Sequence, residues 1–170
     1  MHAVNQILEI LEYLFLFIIG IQVIYFFLFS FGSLFKFKAL IQEPGLGKKN
    51  KMVVIIPGYK EDKIIIDTAK NALVQNYPKE LYEVIICADS FSQTTIDELK
   101  KLDVTVMEVA FENSTKAKSV NKALELSSDS KPDIAVILDS DNIMAPDFLE
   151  KMNQAYNQGL KVIQGHRTAK

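Results

Sequence analysis

Cysteine, tryptophan and a strong net charge are what the sequence has least of. Its 170 residues include one cysteine, Cys87, and no tryptophan, and the formal net charge at pH 7 is −2. A single cysteine excludes an internal disulfide. Because Cys87 lies in an apolar run, it is interpreted as a small buried side chain rather than a reactive thiol. The weak negative charge argues against nucleic acid as a partner, since a phosphate backbone requires a basic face.

Glycine-rich phosphate loops are also missing. The stretch PGYKED, which follows the first β-branched apolar run, contains a single glycine, Gly58. ATPases and NAD-dependent enzymes are recognised by loops with several glycines at fixed spacing. The sequence therefore lacks the fingerprints of both classes.

The longest apolar stretch lies near the N-terminus. Tyr13–Phe35 contains no charged side chain, and Gln22 is its only strongly polar residue. About 20 apolar residues are enough for a helix to cross a bilayer. A secretory signal peptide is the alternative, but it would have a basic start, a shorter apolar core and a small-residue cleavage site. This stretch is preceded by Glu9 and Glu12, and it predicts a retained transmembrane helix.

A group of lysines after this stretch sets the expected orientation. Positive residues next to a membrane segment remain cytoplasmic, so the N-terminus is predicted to face outward from the cell membrane, with the rest of the chain in the cytoplasm. The expected domains are a transmembrane helix at 1–37, a basic linker at 38–51 and an α/β domain at 52–170. The lysines are Lys36, Lys38, Lys48, Lys49 and Lys51.

Strand-like and helix-like patterns alternate from Met52 onwards. Continuous apolar runs are typical of strands buried on both faces of a parallel sheet. Their alternation with helical patterns predicts an α/β fold with a mainly parallel sheet, flanking helices and right-handed crossovers. The expected strands are Met52–Pro57, Tyr82–Ala88, Val104–Val109, Ile134–Leu138 and one starting in Leu160–Gln164, and the expected helices are Asp62–Gln75, Thr94–Leu102, Lys116–Leu126 and Pro146–Asn157.

The motif Asp139-Ser140-Asp141 directly follows one of these strands. Ligands of parallel sheets bind beyond the carboxyl ends of the strands. Hard divalent ions take one or two carboxylates together with substrate phosphates, and such an ion would neutralise a diphosphate and assist its departure. The alternative is that Asp139 or Asp141 only caps the next helix.

Other polar residues follow the first two strands or open a helix. Tyr59 and Glu61 come after the first strand and Asp89 after the second. Asp89 is interpreted either as a hydrogen-bond partner of a nucleoside base or as a turn former. Lys116, at the start of a helix, could reach a base or phosphate, or could simply lie on a solvated face.

Four stretches in order, VVIIPGYKED, VIICADSFSQTT, STKAKSVNKAL and ILDSDN, resemble the N-terminal half of family 2 glycosyltransferases. The membrane-bound cellulose- and hyaluronan-synthase-like branch is the most similar, and the final VIQGHR resembles a strand of that branch. The resemblance implies a GT-A fold, a nucleotide-sugar donor (usually a UDP-sugar), Mn²⁺ or Mg²⁺, and a glycan or lipid acceptor.

Position by position, the resemblance also implies roles for individual residues. Asp139 and Asp141 would hold the metal, with Asp141 the more direct ligand. Lys60, Gln93 and Thr115 depart from the family's usual Asn, Asp and Gly, which leaves the donor preference open. The implied donor-binding residues are Pro57, Tyr59, Glu61, Asp89, Lys116 and Asp139.

Family members also have an acceptor-binding half with a carboxylate general base, and this half is not found before Lys170. The chain is therefore expected to be the donor-binding portion of an inverting enzyme, with its catalytic base unassigned. His166 and Arg167 are candidates for contacts with phosphate or acceptor, or are solvated residues. Two other functions stay open: a nucleotidyltransferase, which usually has a glycine-rich basic loop, and a non-catalytic membrane subunit.

Overall fold

The computed structural model describes residues 2–35 and 47–168, except for the side chain of Ala3. The chain divides into two compact units, Met1–Leu40 and Ile41–Lys170. The predicted linker at 38–51 is described only from Gly47 onwards.

The first unit contains one long helix, α1 (His2–Ser33). Within it, Val4–Ser33 has a mean hydropathy of 2.5 and is long and apolar enough to cross a membrane. Its large apolar side chains are exposed on every face, an arrangement expected of a helix that is surrounded by lipid or protein. The predicted apolar helix is confirmed, with an earlier start, and its insertion in a membrane stays a prediction.

The second unit is built on a four-stranded sheet in which every pair of neighbours is parallel. The strand order is β3-β2-β1-β4, so that β1 lies between β2 and β4. The predicted parallel sheet is confirmed, and β1 and β2 extend beyond their predicted ends. The strands are β1 (Met52–Tyr59), β2 (Tyr82–Asp89), β3 (Thr105–Val109) and β4 (Ile134–Ile137).

Helices cover both faces of this sheet. Alternate residues of β1, such as Val53 and Ile55, pack with Val120 and Ala123 of one helix. The intervening residues, such as Val54, join a larger cluster with the remaining helices on the opposite face. The period-two alternation of strand side chains thus produces two apolar layers. The helices are α2 (Ile65–Ala72), α3 (Gln93–Leu99), α4 (Lys116–Ser127) and α5 (Phe148–Asn157), and Lys79–Leu81 forms a 3-10 turn before β2.

Local hydrogen bonds explain where some helices begin. Ser92 accepts a hydrogen bond from the Thr95 backbone N–H, and this cap starts α3 one residue earlier than predicted. Thr115 accepts a hydrogen bond from the Lys118 backbone N–H and caps α4 in the same way. A glycine at position 115 could not supply this side-chain cap.

The expected strand starting in Leu160–Gln164 is wrong, because residues 160–168 form no regular secondary structure. This segment packs against the first residue of α5. A Cβ placed on Gly165 would lie 2.7 Å from the Phe148 ring, so the backbone contacts this ring directly. Without ladder hydrogen bonds to a neighbouring strand, an apolar run such as Val162–Gln164 does not become a strand.

Candidate functional site

The motif Asp139-Ser140-Asp141 forms a turn at the carboxyl end of β4. The Leu138 N–H still donates to the Ile55 carbonyl of β1 at 3.0 Å, and the Asn142 N–H then closes a turn onto the Asp139 carbonyl at 3.0 Å. The next helix, α5, begins only at Phe148. The alternative that Asp139 or Asp141 caps this helix is therefore wrong.

Ser140 fixes the turn to the neighbouring elements. It is only 6% exposed, and its hydroxyl donates to the Glu61 carboxylate in the loop after β1. Its carbonyl accepts a hydrogen bond from the Thr68 hydroxyl of α2. No role was predicted for Ser140 from the sequence, although its position between two aspartates next to a buried strand was an available signal. This serine connects the predicted residue Glu61 to the Asp-x-Asp motif.

The Asp139 carboxylate is held by two basic side chains. Lys116, the first residue of α4, donates to one oxygen, and Arg167 donates to the other. Asn142 adds a longer hydrogen bond of 3.3 Å to the second oxygen. The hydrogen bond from Lys116, together with its charge and Arg167, lowers the pKa of Asp139 against the opposing effect of burial. The structure thus brings together Lys116, Asp139 and Arg167 from three separate segments.

Glu61 and Asp141 lie near Asp139, and these three carboxylates form the acidic group of the site. Burial raises the pKa of Glu61, and the negative charges of Asp141 and Asp139 raise it further. The Asp141 side chain is exposed, and within the described ranges it makes no hydrogen bond or ion pair. Its oxygens are therefore accessible to a cation.

The carboxylates fit one particular kind of metal site. Among the residues that the structure describes, no three His, Cys, Asp or Glu side chains are arranged to enclose an ion. Two carboxylates on an exposed turn suit an ion that completes its coordination with phosphate oxygens and water, as Mg²⁺ does. Asp139 and Asp141 thus fit a divalent ion that arrives with a phosphorylated ligand.

Asp89 lies at the carboxyl end of β2, opposite Tyr59 of β1 in the sheet register. It is 1% exposed, and its two oxygens accept hydrogen bonds from the hydroxyls of Ser90 and Ser114. Its carbonyl accepts from the Lys60 N–H at 3.0 Å. The turn interpretation of Asp89 is consistent with these contacts, and a role in base binding stays a prediction.

Pro57 and Tyr59 lie at the end of β1, on the same edge of the sheet. Pro57 is partly buried, whereas Tyr59 is 51% exposed and has the Lys60 ammonium 5.0 Å from its ring centre. Between them, Gly58 leaves room for the Phe91 ring. The end of β1 therefore presents an aromatic and a basic side chain to solvent beside the acidic group.

A cleft runs along the outer edge of β4 and reaches the Asp-x-Asp turn. Its volume is about 1030 Å³, the upper range of small-molecule sites. The walls are β4, the loop that leads to α5 and the segment 161–168. Lys116, Asp139, Asp141 and Arg167 line its end.

This fold recurs in solved structures. The mannosyltransferase PcManGT from Pyrobaculum calidifontis, solved with GDP-Man and Mn²⁺, has a TM-score of 0.60 at 22% identity and covers 80% of this chain and 40% of its own. Residues 1–349 of TarS from S. aureus give a TM-score of 0.52 at 20% identity, with 71% and 38% coverage. The second unit therefore has the GT-A fold, as predicted.

Sequence comparison identifies the family. The profile described as "Glycosyltransferase like family 2" matches residues 50–170. The chain belongs to this glycosyltransferase family, which confirms the predicted resemblance. The hyaluronan synthase of Streptococcus pyogenes is 28% identical over an alignment of 145 positions, which covers 78% of this chain and 33% of the synthase. The chain thus spans about a third of the length of this relative.

Proposed function

We propose that the chain is the donor-binding part of a membrane-anchored, inverting glycosyltransferase. Its donor is a nucleotide-diphosphate sugar, for which a UDP-sugar is the first candidate, and its acceptor is a glycan or a lipid. The observation that carries this proposal is the grouping of Asp139, Asp141, Glu61 and Lys116 at the carboxyl edge of β1 and β4. In open α/β sheets this edge is where ligands bind.

In this proposal Asp139 and Asp141 hold Mn²⁺ or Mg²⁺, and the ion neutralises charge on the diphosphate leaving group. PcManGT was solved with Mn²⁺, which supports a divalent ion in this fold. Lys116 binds the diphosphate, while Glu61 keeps the turn in place through Ser140. Pro57, Tyr59 and Asp89 line the nucleoside pocket at the ends of β1 and β2.

The anchor in this proposal is α1, within the domain at 1–37, and the domain at 52–170 carries the donor site. The hydropathy of Val4–Ser33 and the lysines that follow support a membrane-spanning helix with the donor site in the cytoplasm.

Isothermal titration of the full chain in detergent micelles tests the donor site. We expect UDP to bind when Mn²⁺ is present and to lose most of its affinity when Mn²⁺ is chelated. Asp141→Asn should weaken UDP binding in Mn²⁺ by about tenfold or more, because even residues that only support a metal ligand contribute on that scale. GDP, measured in parallel, reports the preference for the base.

Asp129→Asn is the matched control, since it removes one carboxylate from an exposed loop before β4, at the opposite end of the strand. It should leave UDP affinity unchanged. The donor-site proposal would be abandoned if neither UDP nor GDP bound in a metal-dependent way, or if both variants behaved alike.

A further inference from the structure

A metal ion bound at Asp139 would compete with the contacts that this carboxylate already makes. Both of its oxygens already accept charged donors, one from Lys116 and the other from Arg167. The Asp139 side chain is 31% exposed, so water reaches only part of it. A divalent ion that reaches Asp139 must therefore displace at least one basic side chain or share an oxygen with it.

Both basic side chains are largely exposed to solvent. The Lys116 side chain is 54% exposed and that of Arg167 is 71% exposed. Both line the end of the same cleft as Asp141. A phosphate group bound beside the ion would offer them new oxygens, and guanidinium groups match phosphate geometry particularly well.

We infer that Arg167, together with Lys116, is a placeholder for the metal at Asp139 and transfers to the diphosphate when the metal and the nucleotide bind. This inference rests on the proposed function, and it assigns Arg167 a direct contact with the diphosphate in the complex. Without nucleotide, Arg167 competes with the ion for Asp139. With nucleotide, Arg167 favours the complex because it binds the diphosphate.

The consequence is coupling between two ligands. The nucleotide raises the affinity for the ion partly because it offers Arg167 another partner, and by linkage the ion raises the affinity for the nucleotide by the same factor. Removing the Arg167 charge should therefore raise the affinity for the ion without nucleotide and lower the affinity for the ion with nucleotide. A residue that only stabilised the fold would weaken binding in both conditions.

Manganese binding to the full chain in detergent is followed through the electron paramagnetic resonance signal of free Mn²⁺, with and without saturating UDP, and the Mn²⁺ that UDP binds in solution is subtracted with a titration of UDP alone. Relative to wild type, Arg167→Gln should bind Mn²⁺ alone about two- to fivefold more tightly, the scale of an exposed ion pair. With UDP it should bind Mn²⁺ more weakly, so that the coupling factor falls about fivefold or more.

Two variants serve as controls. Lys161→Gln removes a positive charge from the wall of the same cleft without removing a contact to Asp139, and it should leave the coupling factor unchanged. Arg167→Lys keeps the charge and should retain most of the coupling. Thermal unfolding of each variant shows that the fold is intact.

The outcomes separate this inference from the proposed function. A wild-type chain that bound neither Mn²⁺ nor UDP would overturn both. A wild-type chain with UDP-dependent Mn²⁺ binding, in which Arg167→Gln weakened both affinities or matched Lys161→Gln, would overturn the placeholder role alone. Opposite shifts in the two conditions, recovered by Arg167→Lys, would establish it.

Discussion

Single residues at the loop ends fix the geometry around the site, and Asp62 is one whose contribution depends on pH. Its Oδ1 accepts hydrogen bonds from the backbone N–H and the hydroxyl of Ser92, both at 2.8 Å. These bonds tie the loop after β1 to the start of α3. Hydrogen bonds from Thr95 and Ser92 lower the pKa of Asp62. A carboxyl of this kind stabilises the fold above its unfolded pKa and loses that contribution as the pH falls through its folded pKa.

We therefore expect Asp62→Asn to reduce the free energy of unfolding by about 1 kcal/mol at pH 7, a modest value because the contacts are near solvent. The difference from wild type should begin to shrink below about pH 4, where Asp62 of the unfolded chain takes up a proton, and should disappear as the pH falls through the lower pKa of the folded state. Urea unfolding at a series of pH values measures this difference. Asp129→Asn is the control and should show no such trend. A gap that stayed constant down to pH 2 would contradict the assignment.

Gly58 is required by a close approach rather than by its backbone angle. A Cβ at this position would lie 2.6 Å from Cζ of Phe91, which packs against the larger apolar cluster. Gly58→Ala must therefore displace the ring, and we expect a loss of about 1–3 kcal/mol in the free energy of unfolding.

A double-variant cycle tests this cause. Phe91→Leu removes the ring atom that the new Cβ would meet, so Gly58→Ala should cost less in that background than in wild type. Urea unfolding of the four chains gives the coupling energy. Additivity to within about 0.5 kcal/mol would show that the two residues do not interact.

At the level of residues, the charged side chains of the site could be predicted from the sequence, but the contacts between them could not. Asp139, Lys116 and Glu61 were predicted because each follows a strand or opens a helix. The link between Glu61 and the Asp-x-Asp turn depends on the Ser140 hydroxyl, and only the position of Ser140 in the sequence pointed to this contact. The ion pair of Arg167 with Asp139 depends on how the irregular segment 161–168 folds back, which no periodic pattern encodes.

At the level of elements, the chain entering β1 is joined to α5 by a buried polar cluster. Asn153 of α5 is 2% exposed, and its Oδ1 accepts from the backbone and the side chain of Asn50 and from Tyr77 at 2.8–3.2 Å. Its amide donates to the Lys48 carbonyl at 3.1 Å. The residues just before β1 are thus held by side-chain bonds rather than by a sheet ladder.

Asn153→Ala should reduce the free energy of unfolding by about 2–4 kcal/mol, because it leaves several buried partners unsatisfied. Hydrogen exchange at residues 48–51 should speed up. Asn157→Ala is the matched control: Asn157 is exposed and bonds to Lys48 and Asn50, and its loss should cost about 0.5–1.5 kcal/mol. Equal effects of the two variants would show that burial of the cluster is unimportant.

Elements with a strong period were predictable, and those that depend on a partner were not. The apolar runs of β1 and β2 can only be buried strands, and their parallel order follows from the helices between them. Leu160–Gln164 contains a shorter apolar run, Val162-Ile163, yet it forms no strand because the segment packs at Phe148 instead of joining a ladder. An apolar run can indicate a strand, but the strand forms only where the backbone finds hydrogen-bond partners in a sheet.

At the scale of the whole molecule, one apolar helix and one α/β unit have opposite surface properties. The side chains of α1 are apolar and exposed on every face, while the buried apolar residues of the described part of the α/β unit lie between Met52 and Ala155. A helix that is apolar on every face is expected to be surrounded by lipid or by protein. The proposed orientation, with the N-terminus outside, follows from the lysines after the helix.

The single native cysteine makes this orientation measurable. Cys87 is fully buried, and burial raises its pKa to about 12, so its thiol does not react at neutral pH. Maleimide labelling of the folded protein therefore reports only on introduced cysteines. In sealed, right-side-out membrane vesicles, a membrane-impermeant maleimide should label His2→Cys at once. It should label Asp129→Cys, in an exposed loop of the α/β unit, only after detergent is added.

Wild type, with Cys87 alone, should stay unlabelled in both conditions while the protein is folded. Labelling of Asp129→Cys before detergent, with protection of His2→Cys, would reverse the orientation and place the donor site outside. Labelling of both before detergent would mean that α1 does not span the bilayer. In the proposed function, a nucleotide sugar and a divalent ion reach Asp139 and Asp141, so the side on which Asp129→Cys is protected would also identify the compartment that supplies the donor.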